Sequence, residues 1–314
     1  MSLRTSSDIY AAEAARGWLP WGALAPLLGL LFVVVSLLAG TWLLELIVRL
    51  DAKGNPVSPT GLMAFTLVPF GLLLALLLSW VRFIEGRSPA SMGLTGAHQV
   101  RAFLRGHALG MAGILGILAV IWLAGGFAAP AYAKAWSTPT SLLAIGLLLP
   151  CFALQSSVEE LLFRGWLLSL LAKKFNAVAG VLSSSALFTL LHFNRGQSWL
   201  ATVSTFLFGV FCCGWALKSR SVLGVMGWHS GWNWLLAVGF GLPLTGLDVG
   251  IPSLLVELKP VGAPWLTGGA QGPEGSVVCI GYFLGATAWL LFSARGKPAA
   301  QTACNPETRP ESLR

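Results

Sequence analysis

The sequence predicts an all-α protein that crosses a membrane about eight times. Two observations carry this. Of 314 residues, 55% are hydrophobic and only 10% are charged, whereas roughly a quarter of a soluble domain is charged. The apolar residues also fall in repeated long runs, and about 20 such residues suffice for a helix to cross a hydrocarbon core ~30 Å thick. The net charge of +8 does not point to nucleic acid, because the basic residues are spread between apolar runs as orientation signals would be. The five cysteines (Cys151, Cys212, Cys213, Cys279 and Cys304) show no CxxC or zinc spacing and read mainly as small core residues.

In chain order, residues 1–17 are a polar, interfacial or mobile tail. The first apolar run is too long for a cleavable signal peptide. It spans about 18–48, with Trp18, Trp21 and Trp42 as interface anchors. A polar turn with Asp51, Gly54 and Pro56 leads to a second span, about 59–84, and then to a loop rich in arginine (Arg82, Arg87, Arg101 and Arg105). The third span, about 103–127, carries Gly106, Gly110, Gly113 and Gly116, which permit close helix packing. The fourth, about 140–171, is longer than a span needs, and Pro150 is expected to kink it. The fifth, sixth and seventh are about 177–193, 199–217 and 222–240. Residues 241–274 are too broken by Gly and Pro to cross and are expected on the membrane surface. The eighth span is about 277–292, and a polar, disordered tail starts at 294. Residues 18–293 thus form one transmembrane domain between two tails.

Lys and Arg gather in both tails and in the loops after spans two, four and six. The positive-inside rule then puts both termini in the cytoplasm. No strong internal repeat is evident, whereas an inverted-repeat transporter is expected to show one.

Polar groups interrupt three of these spans. The fourth carries Glu159, Glu160 and Arg164, the fifth Phe188 and His192, and the seventh His229 and Asn233. A charge in hydrocarbon costs roughly 2.5–3.5 kcal/mol on insertion scales and normally marks function. Glu160 and Arg164 are i,i+4 neighbours that can pair. Glu159 is turned about 100° away, which leaves it available for chemistry. At 1.5 Å per residue, Glu159, His192 and Asn233 lie about 20–27 Å from the cytoplasmic ends of their helices, and His229 about 14 Å. Most of the set therefore shares one layer, in the middle or outer half of the membrane. A lone intramembrane His is more often a hydrogen-bonded core residue. Two of them on different helices beside a glutamate pair argue otherwise.

At these residues the chain resembles the CPBP family, the type II CAAX prenyl endopeptidases and the bacteriocin-processing or Abi-type intramembrane proteases. The family pattern EExxxR, FxxxH and HxxxN/D is matched in order by Glu159-Glu160…Arg164, Phe188…His192 and His229…Asn233, within residues 155–235. The segment Arg87-Ser-Pro-Ala-Ser-Met-Gly-Leu94 resembles the element before the family's third span. The resemblance implies an intramembrane endopeptidase, a hydrolase acting on a membrane-anchored protein or peptide, with a site built by helices four, five and seven. Glu159 would be the general base on a water that His192 helps to hold, and His229 and Asn233 would bind the oxyanion. Glu160, Arg164 and Phe188 would support them. No cofactor is favoured. The alternative is a divalent metal such as zinc on Glu159, His192 and His229, since two His and a carboxylate form a known catalytic set. Two other readings use the same cluster: a non-catalytic bacteriocin-immunity or scaffold protein on this fold, and a small proton- or cation-coupled transporter. A bacterial inner membrane is the expected location.

Overall fold

The computed structural model describes residues 9–10, 15–50, 58–194, 196–247 and 250–293. Among these residues the chain forms eight principal helices and no strand beyond isolated bridges. They are α1 Leu24–Glu45, α2 Pro59–Ile84, α3 Gln99–Leu123, α4 Pro139–Lys174, α5 Ala177–His192, α6 Trp199–Ser219, α7 Leu223–Gly239 and α8 Val277–Phe292. Five of them (α1, α2, α3, α4 and α6) are long and apolar enough to cross a membrane. The shorter α5 and α8 are apolar as well. α7 is the most enclosed, buried along most of its 17 residues. The protein is thus an all-α polytopic membrane protein. Cys151, Cys212, Cys213 and Cys279 are free and buried, as core residues should be. The turn at Asp51, Gly54 and Pro56, Cys304 and the C-terminal tail lie outside the described residues.

Four helices start where a polar side chain accepts a backbone N–H left unpaired by the first turn. Ser58 caps α2 at 3.0 Å, Asn176 caps α5 at 2.9 Å, Ser198 caps α6 at 3.2 Å and Ser276 caps α8 at 3.1 Å. α1 is shorter at both ends than the apolar run suggests, and Trp18, Trp21 and Trp42 are exposed, as interface anchors should be.

α7 sits at the centre because glycines let α3 touch its backbone. A Cβ on Gly106 would stand 2.1 Å from the Gly224 carbonyl, and one on Gly110 2.0 Å from that of Trp228. The relation is reciprocal: a Cβ on Gly227 would meet the Phe103 carbonyl at 1.9 Å, and one on Gly231 that of His107 at 2.0 Å. Lipid tails are as apolar as side chains, so such close packing is what holds two membrane helices together. Of the other expected contact glycines, Gly113 faces the Tyr282 hydroxyl and Gly116 faces open space.

α4 stays helical through Pro150. Its departure from α geometry comes later, as a seven-residue π-helical stretch, Leu161–Leu167, directly after the acid pair. Such stretches shift the register of side chains and are frequent at functional sites.

The connections sort to two ends. At one, the Gly17 amide donates to the Glu85 carbonyl and the Val222 amide to that of Gly93. Tyr10 is buried there against Gly93. This part of the N-terminal segment is therefore packed rather than a free tail, because the ring fills the space left by a glycine at φ +84°. At the other end, described residues of 240–276 pack over the end of α7. The Leu254 and Leu255 amides donate to Val238 and Gly239, satisfying carbonyls that the end of α7 would leave unpaired. Bridges join Phe127 to Pro260 and Ala131 to Glu257, and Lys134 pairs with Glu257 at 2.8 Å. A stretch too rich in Gly and Pro for a membrane-spanning helix thus becomes a roof over the bundle.

Candidate active site

All the polar residues singled out in the sequence meet beneath that roof. On α4, Glu159 and Glu160 are both buried, and their surroundings differ as the helical geometry requires. Glu160 Oε1 accepts from Arg164 Nη1 at 3.1 Å and lies 2.8 Å from His229 Nδ1. The expected pair with Arg164 forms, and Glu160 also fixes His229, a contact that residue spacing did not indicate. Arg164 is fully buried, its guanidinium 4.4 Å above the Phe188 ring and 5.5 Å from that of Phe208. These ring faces offset part of its lost hydration.

Glu159 has two unlike oxygens. Oε1 accepts from Gln155 Nε2 at 2.6 Å. Oε2 is buried without a hydrogen-bond partner and lies 3.9 Å from Nε2 of both His192 and His229. His192 is oriented by its own helix: Nδ1 meets the Phe188 carbonyl at 2.8 Å, and the imidazole stacks on the Phe188 ring at 4.1 Å. A carbonyl only accepts, so Nδ1 carries the proton and neutral His192 presents a lone pair at Nε2. Phe188 therefore acts as the packing centre between Arg164, His192 and Phe208, whose ring supports His229 edge-on at 4.8 Å.

Asn233, one turn beyond His229, donates from Nδ2 to Gln155 Oε1 at 3.3 Å, and Ser156 Oγ donates to the same atom at 3.2 Å. Gln155 thus links Asn233 to Glu159. The sequence reading missed it, although it lies one turn before Glu159 on α4 and is the remaining long polar side chain of that helix face.

Two cavities reach the cluster. One of about 250 Å³, under the roof, is lined by Gln155, His192, His229 and Asn233. The other, about 170 Å³, lies between α1, α2, α4 and α5 and is lined by Glu159 and His192 among apolar residues. His192 faces both. The roof is tied to α7 beside the site: Glu274 accepts from Trp232 Nε1 at 2.9 Å and from the Thr245 amide at 2.7 Å.

Chemically, a carboxylate oxygen and two imidazole nitrogens converge on one space. Glu159, His192 and His229 are the residues that would hold a divalent ion. Tetrahedral zinc with 2.0–2.1 Å bonds requires ligand atoms roughly 3.4 Å apart, so the 3.9 Å separations would have to close by about half an ångström. As they stand, no three His, Cys, Asp or Glu among the described residues form a metal site.

No curated protein and no solved structure matches the chain. Residues 136–235 match the family described as "Type II CAAX prenyl endopeptidase Rce1-like". The matched stretch runs from the start of α4 to α7 and contains every residue of the cluster. Over this segment, about a third of the chain, the protein is similar to that family of CAAX-type intramembrane proteases.

Proposed function

We propose that the protein is an intramembrane endopeptidase that hydrolyses a peptide bond with a water activated by Glu159. The observation that carries the reading is Glu159 Oε2, buried, unpartnered and 3.9 Å from two imidazole nitrogens, beside a cavity that shares His192 with the one under the roof. A water donating one hydrogen to Oε2 and the other to His192 Nε2 keeps a lone pair turned toward a substrate carbonyl. Glu159 takes the proton as the oxygen attacks. The oxyanion accepts from the Asn233 amide and from Nε2–H of doubly protonated His229, whose Nδ1–H is held by Glu160. Glu159 then passes its proton to the leaving amine. Gln155 keeps the second oxygen of Glu159 occupied, so that Oε2 is the one that reacts. No step requires a metal.

The substrate is a membrane-associated protein or peptide whose extended segment enters the cavity under the roof. With both termini cytoplasmic, that end of the bundle faces away from the cytoplasm, and a tail cut on or after export would reach it. The test is cleavage by purified protein of fluorogenic peptides with CAAX-type and other apolar C-termini. Wild type should yield a product that Glu159→Gln does not, with both proteins folded to the same extent. Equal turnover by the two would refute the reading.

A further inference from the structure

The bundle contains a third and larger space that the active site does not use. A cleft of about 790 Å³ lies between α3, α6, α7 and α8, on the face remote from the acid pair. Along α3 its lining runs from Gln99 to Leu109, a rise of about 15 Å, and along α8 from Leu290 to Tyr282, about 12 Å. One leaflet of a core ~30 Å thick measures about the same. The cleft is also graded along its length. Its inner part is walled by Leu109, Phe211, Trp228 and Tyr282, while its mouth carries His98, Arg105 and Lys218. Arg101 extends the basic rim in the adjoining surface depression, together with Arg105 and His98. No Asp or Glu lines either space. Lys218 is set in place by the Leu290 carbonyl and by Trp289, whose ring it covers at 5.1 Å. Arg101 and Arg105 are exposed and form no ion pair among the described residues.

We propose that this cleft is a binding site for one anionic glycerophospholipid, with its phosphate at Arg101, Arg105 and Lys218 and an acyl chain along the aromatic wall. Length, polarity gradient and charge all match a lipid standing in the leaflet at the end of the bundle that carries the 85–98 and 220–222 connections. Basic pockets between membrane helices recognise anionic head groups in this way. An ordinary annular lipid would need neither the depth nor the one-signed rim. The bound chain would lie against Gly224 and Trp228, in the first turns of the helix that carries His229 and Asn233.

The test uses the full-length protein stripped of lipid in detergent and titrated with phosphatidylglycerol or phosphatidylcholine, with bound lipid counted by native mass spectrometry. One phosphatidylglycerol should bind well ahead of phosphatidylcholine. Each arginine removed should weaken that preference about fivefold, the usual contribution of one basic residue near anionic lipid, so the double variant R101Q/R105Q should lose about 25-fold. Both residues are exposed, so this variant should fold. Ala286→Trp, which fills the cleft, should abolish binding of the single lipid while thermal unfolding shows the protein still folded. Equal retention of the two lipids by wild type would overturn the proposal, and so would a preference surviving in R101Q/R105Q. Neither readout depends on whether the protein is a peptidase.

Discussion

Gln155 offers the sharpest test of how the site is held. Its amide spans the gap between the base and Asn233, giving 2.6 Å to Glu159 Oε1 and taking 3.3 Å from Asn233 Nδ2. Gln155→Leu keeps the volume and removes both contacts. A hydrogen bond to a charged group contributes about 1.5–3 kcal/mol, so freeing Oε1 should cost about 10–100-fold in kcat/KM. The loss should fall on kcat, since Gln155 fixes atoms that act in the transition state. Gln155→Glu should be worse, because it sets a second carboxylate against Glu159.

The assay is steady-state cleavage in detergent, with thermal unfolding to confirm that the variant is folded. A double-mutant cycle with Asn233→Ala separates positioning from general damage. If Gln155 acts by orienting Asn233 and Glu159, the double variant should lose much less than the product of the two single losses. Activity of Gln155→Leu within threefold of wild type would refute the assigned role, and fully multiplicative losses would show that the two amides act independently.

Other outcomes follow from the same geometry. Arg164→Met should cut the yield of folded protein, since it leaves the buried Glu160 without its cation at a cost of about 3–5 kcal/mol; normal yield and Tm would contradict this. Gly227→Ala should lower Tm by the equivalent of about 1–3 kcal/mol, because its Cβ meets the Phe103 carbonyl at 1.9 Å, whereas Gly116→Ala, facing open space, should be neutral. Exhaustive chelation should leave cleavage intact; inactivation reversed by returning stoichiometric metal would move Glu159, His192 and His229 from water activation to ligation. A reporter fused after Arg314 should be active only on the cytoplasmic side, and external labelling there would invert the orientation.

The helices and the cluster were legible in the sequence because both leave local signals. Apolar runs of membrane length fixed eight elements to within a few residues, and charges inside those runs marked α4, α5 and α7. What local pattern cannot carry is contact between distant segments. Nothing in the spacing of Glu160 and His229, 69 residues apart, indicates that they touch. The composition of 241–274 forbids a membrane-spanning helix but does not say what the chain packs on. Tyr10 was read as tail because its neighbours are polar, although its burial depends on the glycine at 93. Gln155 was overlooked because an uncharged amide near a helix centre raises no alarm until the acid it binds is known to matter.

Burial alone would not have separated the acids that do chemistry from those that hold the fold. Glu85 is as buried as any of them, at 0% exposure. Its Oε1 accepts from the indoles of Trp80 and Trp166 at 3.1 and 2.8 Å, and its Oε2 binds Arg87 at 2.6 Å. Every lone-pair direction that matters is taken, and the residue stitches the end of α2 to the π-helical stretch of α4. Glu274 is engaged in the same way by Trp232 and Thr245. Glu160 joins Arg164 to His229. Glu160 also keeps one buried oxygen without a partner, but the unpartnered oxygen of Glu159 lies 3.9 Å from two imidazole nitrogens, and Glu159 lines a cavity. It is therefore the surroundings of its unpartnered oxygen, rather than burial or the number of donors, that support Glu159 as the proposed base.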